Sequence, residues 1–286
     1  MPNTQISSQP KVRRLPSLRP NLIIGGLLAT IVVSAVALSL VWTPYAPSEM
    51  HIADRLQGPS ADYLLGTDHF GRDILSMVMI GGQNTLFASF VAVAIGVTVG
   101  TAIGLTASAF RGWVEELVMR GCDFLLAFPT ILAAIMISAA TGPGIHIAIT
   151  AIVVYNIPVF ARLTRGAANA IWARDYIAAA RIAGKGRALI SVRHVLPNVM
   201  NPIIVQTTIS FSSAILAEAA LSYLGLSVQP PAPSWGRMLN EAQPYLYQAP
   251  FLAVYPGIAI AISVFSFNLL GDGLRDLLDP KMSRAR

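Results

Sequence analysis

The chain has 286 residues, 54% of them hydrophobic and 12% charged, with 20 Lys and Arg against 14 Asp and Glu. A typical soluble domain is about 25% charged, so this composition excludes a water-facing surface over most of the chain and places it in lipid. One cysteine, Cys122, excludes an intramolecular disulfide; it lies in an apolar run and reads as a buried, inert side chain.

Residues 1–20 are basic, with Lys11, Arg13, Arg14 and Arg19, and an apolar run from Asn21 to Trp42 follows. The pair resembles a secretion signal, and Ala35-Val36-Ala37 offers small residues for cleavage. The run continues past that point to about the 20 residues a spanning helix needs. It reads as an uncleaved first span over 21–43. Residues 44–82, rich in Pro, Gly and Asp, read as an ordered extracytoplasmic loop. Further apolar runs follow at 84–109, 118–140, 145–160, 203–224 and 251–270. Lipid offers no partner to an open backbone group, and barrel strands would alternate in polarity over about ten residues, so these runs are helices. The fold class is an all-α integral membrane protein of about six transmembrane helices, with no internal repeat.

Within the second span, Ala88, Ala92, Gly96, Gly100, Gly104 and Ser108 recur every fourth residue. Small residues in one stripe let another helix approach closely, and Gly96, Gly100 and Gly104 are the expected packing centre. Pro129 and Pro158 each remove a backbone donor from a span and predict a kink or local opening. Such a break lines a pathway in some bundles and is re-satisfied by neighbours in others, and both readings stand. Residues 225–250 read as a second extracytoplasmic loop, with Tyr45, Tyr63, Trp235, Tyr245 and Tyr247 as an interfacial aromatic belt.

An N-terminus in the cytoplasm puts 17 of the 20 basic residues on that side, including the tail 273–286. The other side keeps Arg55, Arg72 and Arg237 beside six acids. This positive-inside pattern accounts for the basic excess without a nucleic-acid partner. No catalytic set converges. Gly184-Lys185-Gly186 lacks the rest of a phosphate-binding loop, the four histidines are scattered, and neither a metal nor a cofactor is expected on the chain. Glu218 lies inside the fifth span, where a carboxylate costs at least about 2.5 kcal/mol. It shares a helical face with Thr207, Ser210, Ala214 and Ser222, so it faces protein or a water-filled cavity, as a structural bond, a gate or a pathway group. Asp123 reads as an interfacial or capping carboxylate.

The connection from Arg162 to Asn198 has seven Lys or Arg against Asp175 alone. Asp175-Tyr176-Ile177-Ala178-Ala179-Ala180-Arg181 is good helix former, Gly184-Lys185-Gly186 breaks it, and Arg187 to Leu196 predicts a second short helix ending at Pro197. Two short helices about a glycine turn make a knob suited to a partner's groove. A solvated basic loop on anionic lipid heads is the alternative.

That connection resembles the cytoplasmic motif of ABC importer permeases: E-A-A, three residues, G, nine residues, then I-x-L-P. Here it reads Ala178-Ala179-Ala180, then Gly184, then His194-Val195-Leu196-Pro197-Asn198, with Ala178 where the motif has Glu. Other stretches resemble the dipeptide, oligopeptide and nickel branch, in its DppC-like or OppC-like subunit. These include Leu65-Gly66-Thr67-Asp68, Gly71-Arg72-Asp73, Leu125 to Pro129, Ala217 to Leu226, Ser234-Trp235-Gly236-Arg237 and Phe267 to Asp276, so the resemblance covers roughly 60–281. It implies a type I ABC importer permease domain over 83–272, with 162–198 as the loop that couples to an ATPase. It also implies a second, homologous permease subunit, two ATP-binding subunits that use ATP and Mg, an extracytoplasmic substrate-binding protein, and an inner-membrane location with both termini cytoplasmic. Peptides are the expected cargo, with nickel or glutathione as alternatives. A rival from another class is an ion-coupled transporter relaying protons through Glu218 and Asp123.

Overall fold

The computed structural model describes residues 20–46 and 49–278; Lys11 to Arg19 and the tail with Lys281, Arg284 and Arg286 lie outside the described residues. The described chain forms α1 (Pro20–Leu38), α2 (Ile74–Ala109), α3 (Trp113–Ala127), α4 (Thr130–Thr141), α5 (Ile145–Trp172), α6 (Asp175–Ile182), α7 (Arg187–Ile190), α8 (Leu196–Tyr223), α9 (Trp235–Ala242) and α10 (Phe251–Leu278). Five stretches are long and apolar enough to cross a membrane: α1, α2, α5, the α7–α8 rod and α10. A sixth crossing is broken, α3 and α4 meeting at 83°.

The break is local chemistry. Pro129 has no N–H to extend α3, and its ring pushes the preceding residue out of the helical region. Phe128 is accordingly extended, at φ −86° and ψ 121°. Pro158 behaves differently: α5 runs through it without interruption. Its helix is pressed against the small-residue stripe of α2, which leaves no room to open. A Cβ on Gly96 would lie 2.5 Å from the Cβ of Asn156, on Gly100 2.5 Å from the Ile157 carbonyl oxygen, and on Gly104 2.5 Å from that of Ala161. Dispersion at backbone-to-backbone range therefore holds α2 to α5.

Several boundaries differ from the sequence expectation: α5 runs on to Trp172, so 162–172 of the expected connection is helix, and α10 runs to Leu278, past the expected domain end at 272. The helix of the second span begins at Ile74 and not near 83, because Asp73 caps it: its carboxylate accepts from the Ser76 N–H at 2.8 Å and from the Ser76 hydroxyl at 2.7 Å. The second short helix does not end at Pro197. Arg187–Ile190 passes through one widened turn, Ser191–Val195, directly into α8. There the Leu196 N–H donates to the Ser191 carbonyl five residues back, and the wider turn carries the helix past a proline that has no N–H to give.

The aromatic belt is also corrected for two members. Trp235 is buried at the centre of an apolar cluster with Ile74, Met77, Ile215, Ala219 and Leu252, its indole donating to the Val78 carbonyl at 2.8 Å. Tyr63 is buried against Tyr45, with ring centroids 5.0 Å apart. Burial and the adjacent Asp54 carboxylate push its phenol above the ordinary range. An apolar pattern cannot distinguish an aromatic at the lipid boundary from one under a folded cap.

Candidate functional site

The α6–α7 connection is built as a knob on an anchored base. Ile177 and Ala180 on the inner face of α6 join Ile190, Val195, Phe160 and Trp172 in one buried cluster. Asp175, Tyr176, Ala178 and Ala179 lie on the outer face and are exposed. The turn after α6 is a Schellman close: the Gly184 N–H bonds to the Arg181 carbonyl at 3.0 Å and the Lys185 N–H to the Ala180 carbonyl at 3.1 Å. It needs a left-handed residue, and Gly184 has φ +78° with open space where a Cβ would sit. The Lys185 ammonium lies 3.3 Å from His194 Nε2, tying the turn to the widened helical turn beyond it. Leu196 and Pro197 open α8, and Asn198 donates to the His194 carbonyl at 2.7 Å. The outer surface carries exposed apolar side chains among its charges: Ile182 is 89% exposed, with Tyr176, Leu189 and Val192 also uncovered, beside exposed Arg174, Arg181, Lys185, Arg187 and Arg193.

At the other end of the bundle, a cap of residues 49–73 and 225–250 closes over α2, α8 and α10. Arg72 is buried between two carboxylates, with Nε 2.6 Å from Asp68 and Nη2 3.3 Å from Glu241. Arg237 holds the other oxygen of Glu241 at 2.7 Å. Gly71 turns the chain at φ +75°, where a Cβ would strike the His51 carbonyl. Asp68, Arg72 and Arg237 belong to stretches that the sequence singles out, but Glu241 lies outside them, and nothing local joins it to Arg72, 169 positions away.

Glu218 lies beneath this cap and is 0% exposed. Ser227 donates to its Oε1 at 3.0 Å, the Thr85 and Ser222 hydroxyls adjoin it, and Oε2 has no partner. Ser222 is itself bonded at 2.5 Å to Ser234, the residue that caps α9. Glu218 and Ser222 thus face helix packing, not a cavity. Thr85, Ser227 and Ser234 were missed in sequence because a lone hydroxyl in an apolar run carries no signal until its partner is known.

Asp123 lies inside α3, not at a cap, and forms an ion pair with Arg162 of α5. A second pair, Glu115 with Arg165 at 2.5 Å, fastens the same two helices. Pro129 stands at the α3–α4 break. Just beyond it Thr130 enters a cleft of about 380 Å³ between α4, α5 and α8, which also takes in Tyr155, Asn156, Gln206, Ser210 and Ser213. None of the sequence candidates Glu218, Ser222, Pro129 or Asp123 lines it. A polar stripe at Gln206, Ser210 and Ser213, spaced four and three, was legible in the sequence and was the available signal. Among the described residues no three His, Cys, Asp or Glu converge as a metal site.

A helical bundle with a glycine-welded core, one broken span and a projecting two-helix knob defines a membrane transport component. Residues 93–284 match the family model for the binding-protein-dependent transport system inner membrane component, and the chain belongs to that family. It is 41% identical to the dipeptide transport system permease protein DppC of Alkalihalophilus pseudofirmus, covering 90% of this chain and 86% of the relative. Against the di/tripeptide transport system permease protein DppC of Pseudomonas aeruginosa the figures are 43%, 92% and 89%. The glutathione transport system permease protein GsiD of Pectobacterium atrosepticum is 40% identical, at 90% and 86% coverage. Among solved structures, the fold is similar to a chain of the MetNI methionine ABC transporter in inward-facing conformations. The TM-score is 0.60 at 18% identity, over 72% of this chain and 98% of that one. The chain is a multi-pass inner-membrane ABC permease subunit.

Proposed function

We propose that this permease forms half of the translocation pathway of an importer for di- or oligopeptides, driven by ATP hydrolysis in separate subunits. The observation that carries the coupling role is the knob. Its inner face is sealed into the bundle, and its outer face presents Tyr176, Ile182, Leu189 and Val192 to solvent. Exposed apolar side chains on a rigid, helix-anchored projection are the makings of a protein-docking surface. Two ATP-binding subunits, using ATP and Mg, would engage this surface and its homologue on a second permease. Their closure would then shift α5 and α8, which leave the knob as continuous helices, in a rigid-body transition. Ala178, exposed where the motif has Glu, removes one polar contact and leaves the apolar ones. The positive-inside pattern supports a cytoplasmic knob and cytoplasmic termini, and the cap would then face an extracytoplasmic substrate-binding protein.

The names of the relatives support a peptide cargo, and those of the glutathione permeases, equally similar, favour glutathione as a second reading. A nickel cargo gains nothing from the cleft, which holds no imidazole, thiol or carboxylate. A proton relay is equally unsupported, since Asp123 is paired to Arg162 while Glu218 is sealed beneath the cap.

The test is Ile182→Asp in the assembled importer. It touches no buried group, so membrane insertion should be normal. Co-purification of the ATP-binding subunits and ATP-driven dipeptide uptake should each fall at least about tenfold, the effect of losing a docking anchor. Full retention of both would refute the docking role.

A further inference from the structure

The cleft between α4, α5 and α8 is set apart by the neutral polar side chains that line it. It lies at the start of α4 and along the middle of α5 and α8, and carries six neutral hydrogen-bonding side chains: Thr130, Tyr155, Asn156, Gln206, Ser210 and Ser213. The openings beside α1 are lined mainly by Val, Phe, Leu and Ala, with Gln83 and Asn84 in one and Thr98, Thr207 and Thr208 in the other. Polar groups deep in a span cost free energy unless they serve packing or a passing ligand. Here packing uses them only partly. Asn156 is buried and donates one amide hydrogen to the Ile152 carbonyl at 2.9 Å. Gln206 reaches Ser210 at a long 3.3 Å. Tyr155 and Ser213 stand exposed on the open side of the cleft. At about 380 Å³ from one subunit, the space already falls in the range of a small-molecule site, roughly 300–1,000 Å³.

We infer that this cleft is a transit site that reads the peptide main chain and is indifferent to side-chain charge; the inference rests on the peptide-permease reading above. Amide and hydroxyl groups donate and accept, as a peptide bond does, and the two terminal charges of a free peptide offset one another. A charged lining would attract one class of side chain and repel the other, because a charge keeps much of its strength in a poorly screened site. The cleft has no charged residue: Glu218, next in sequence to the lining Ala217, is fully buried beneath the cap, and Asp123 and Arg162 are paired with each other outside it. Gln206 is the positioning donor and acceptor at its cytoplasmic-loop end, and Ser213 marks the opposite end of the same α8 stripe.

The experiment replaces the cell's own copy with Gln206→Lys, Gln206→Glu or Gln206→Leu. It then measures ATP-dependent uptake of labelled Ala-Ala, Ala-Asp and Ala-Lys by the complete importer. Gln206→Lys should raise the Ala-Asp to Ala-Lys uptake ratio by about tenfold and Gln206→Glu should lower it similarly. Gln206→Leu should reduce all three by a common factor of roughly two to ten. Ser213→Lys and Ser213→Asp give the same readout at an exposed position, should a Gln206 variant fail to insert. In the wild type, a benzophenone-bearing dipeptide should label the α8 segment 206–213. An unchanged ratio in inserted, transporting variants, or labelling confined to other segments, overturns the inference. If the wild-type importer carries none of the three peptides, the peptide reading itself fails, a separate and recognisable result.

Discussion

At one end of the bundle, Ile177 on the inner face of α6 is buried with Ile190 and Val195, while Tyr176 and Ile182 of the same helix stay uncovered. At the other, Arg72 is buried between Asp68 and Glu241, and Glu241 is shared with Arg237. The knob is anchored to the bundle chiefly by burial, which is non-directional and lets a rigid projection be moved as a unit. The cap adds to its own buried cluster a set of charge and hydrogen-bond contacts, which fix orientation and are costly to leave half-made. The difference teaches which end transmits motion and which holds geometry. A part that must follow a partner subunit is best held by contacts that survive small shifts, and a part that closes over α2, α8 and α10 is best held by contacts that do not.

This contrast can be broken by substitution. Arg72→Ala should have the largest effect, about 3–5 kcal/mol, because it strands a buried carboxylate. It should appear as a large drop in the thermal unfolding temperature of the purified importer, and an unshifted transition would show that the cap is not held by this network. Ile177→Ala comes next, at about 2–5 kcal/mol for a truncated buried Ile. It should loosen the knob selectively, read as faster amide exchange in α6 with the cap unchanged; uniform exchange throughout would deny the two ends their independence. Gly184→Ala is the smallest, about 1–2 kcal/mol, since its left-handed φ is strained for any residue with a Cβ although the space is free. Gly184→Asn, which tolerates that conformation better, should recover part of the loss in the coupling of ATP hydrolysis to uptake.

Much of the architecture was legible in one dimension because lipid enforces it. Long apolar runs must be helices, a strict four-residue stripe of small residues meets another helix, and Pro129 marks a point where its span can break. Gly184 likewise marks its turn through its own backbone requirement. Local patterns failed where the answer lay in a neighbour. Pro158 and Pro129 are chemically alike, yet only the first is clamped along the α2 glycines. Pro197 does not stop its helix, because one widened turn admits it. Trp235 looks the same at a lipid boundary as under a cap. Glu218 gains its setting from Thr85, Ser222 and Ser227 on three separate segments, and Arg72 meets Glu241 across 169 positions. Composition and periodicity therefore decide which residues cross the membrane, since each helix satisfies its own backbone. Which polar side chains face packing and which face an open cleft is decided only when the helices meet, because burial and hydrogen bonding belong to pairs of segments.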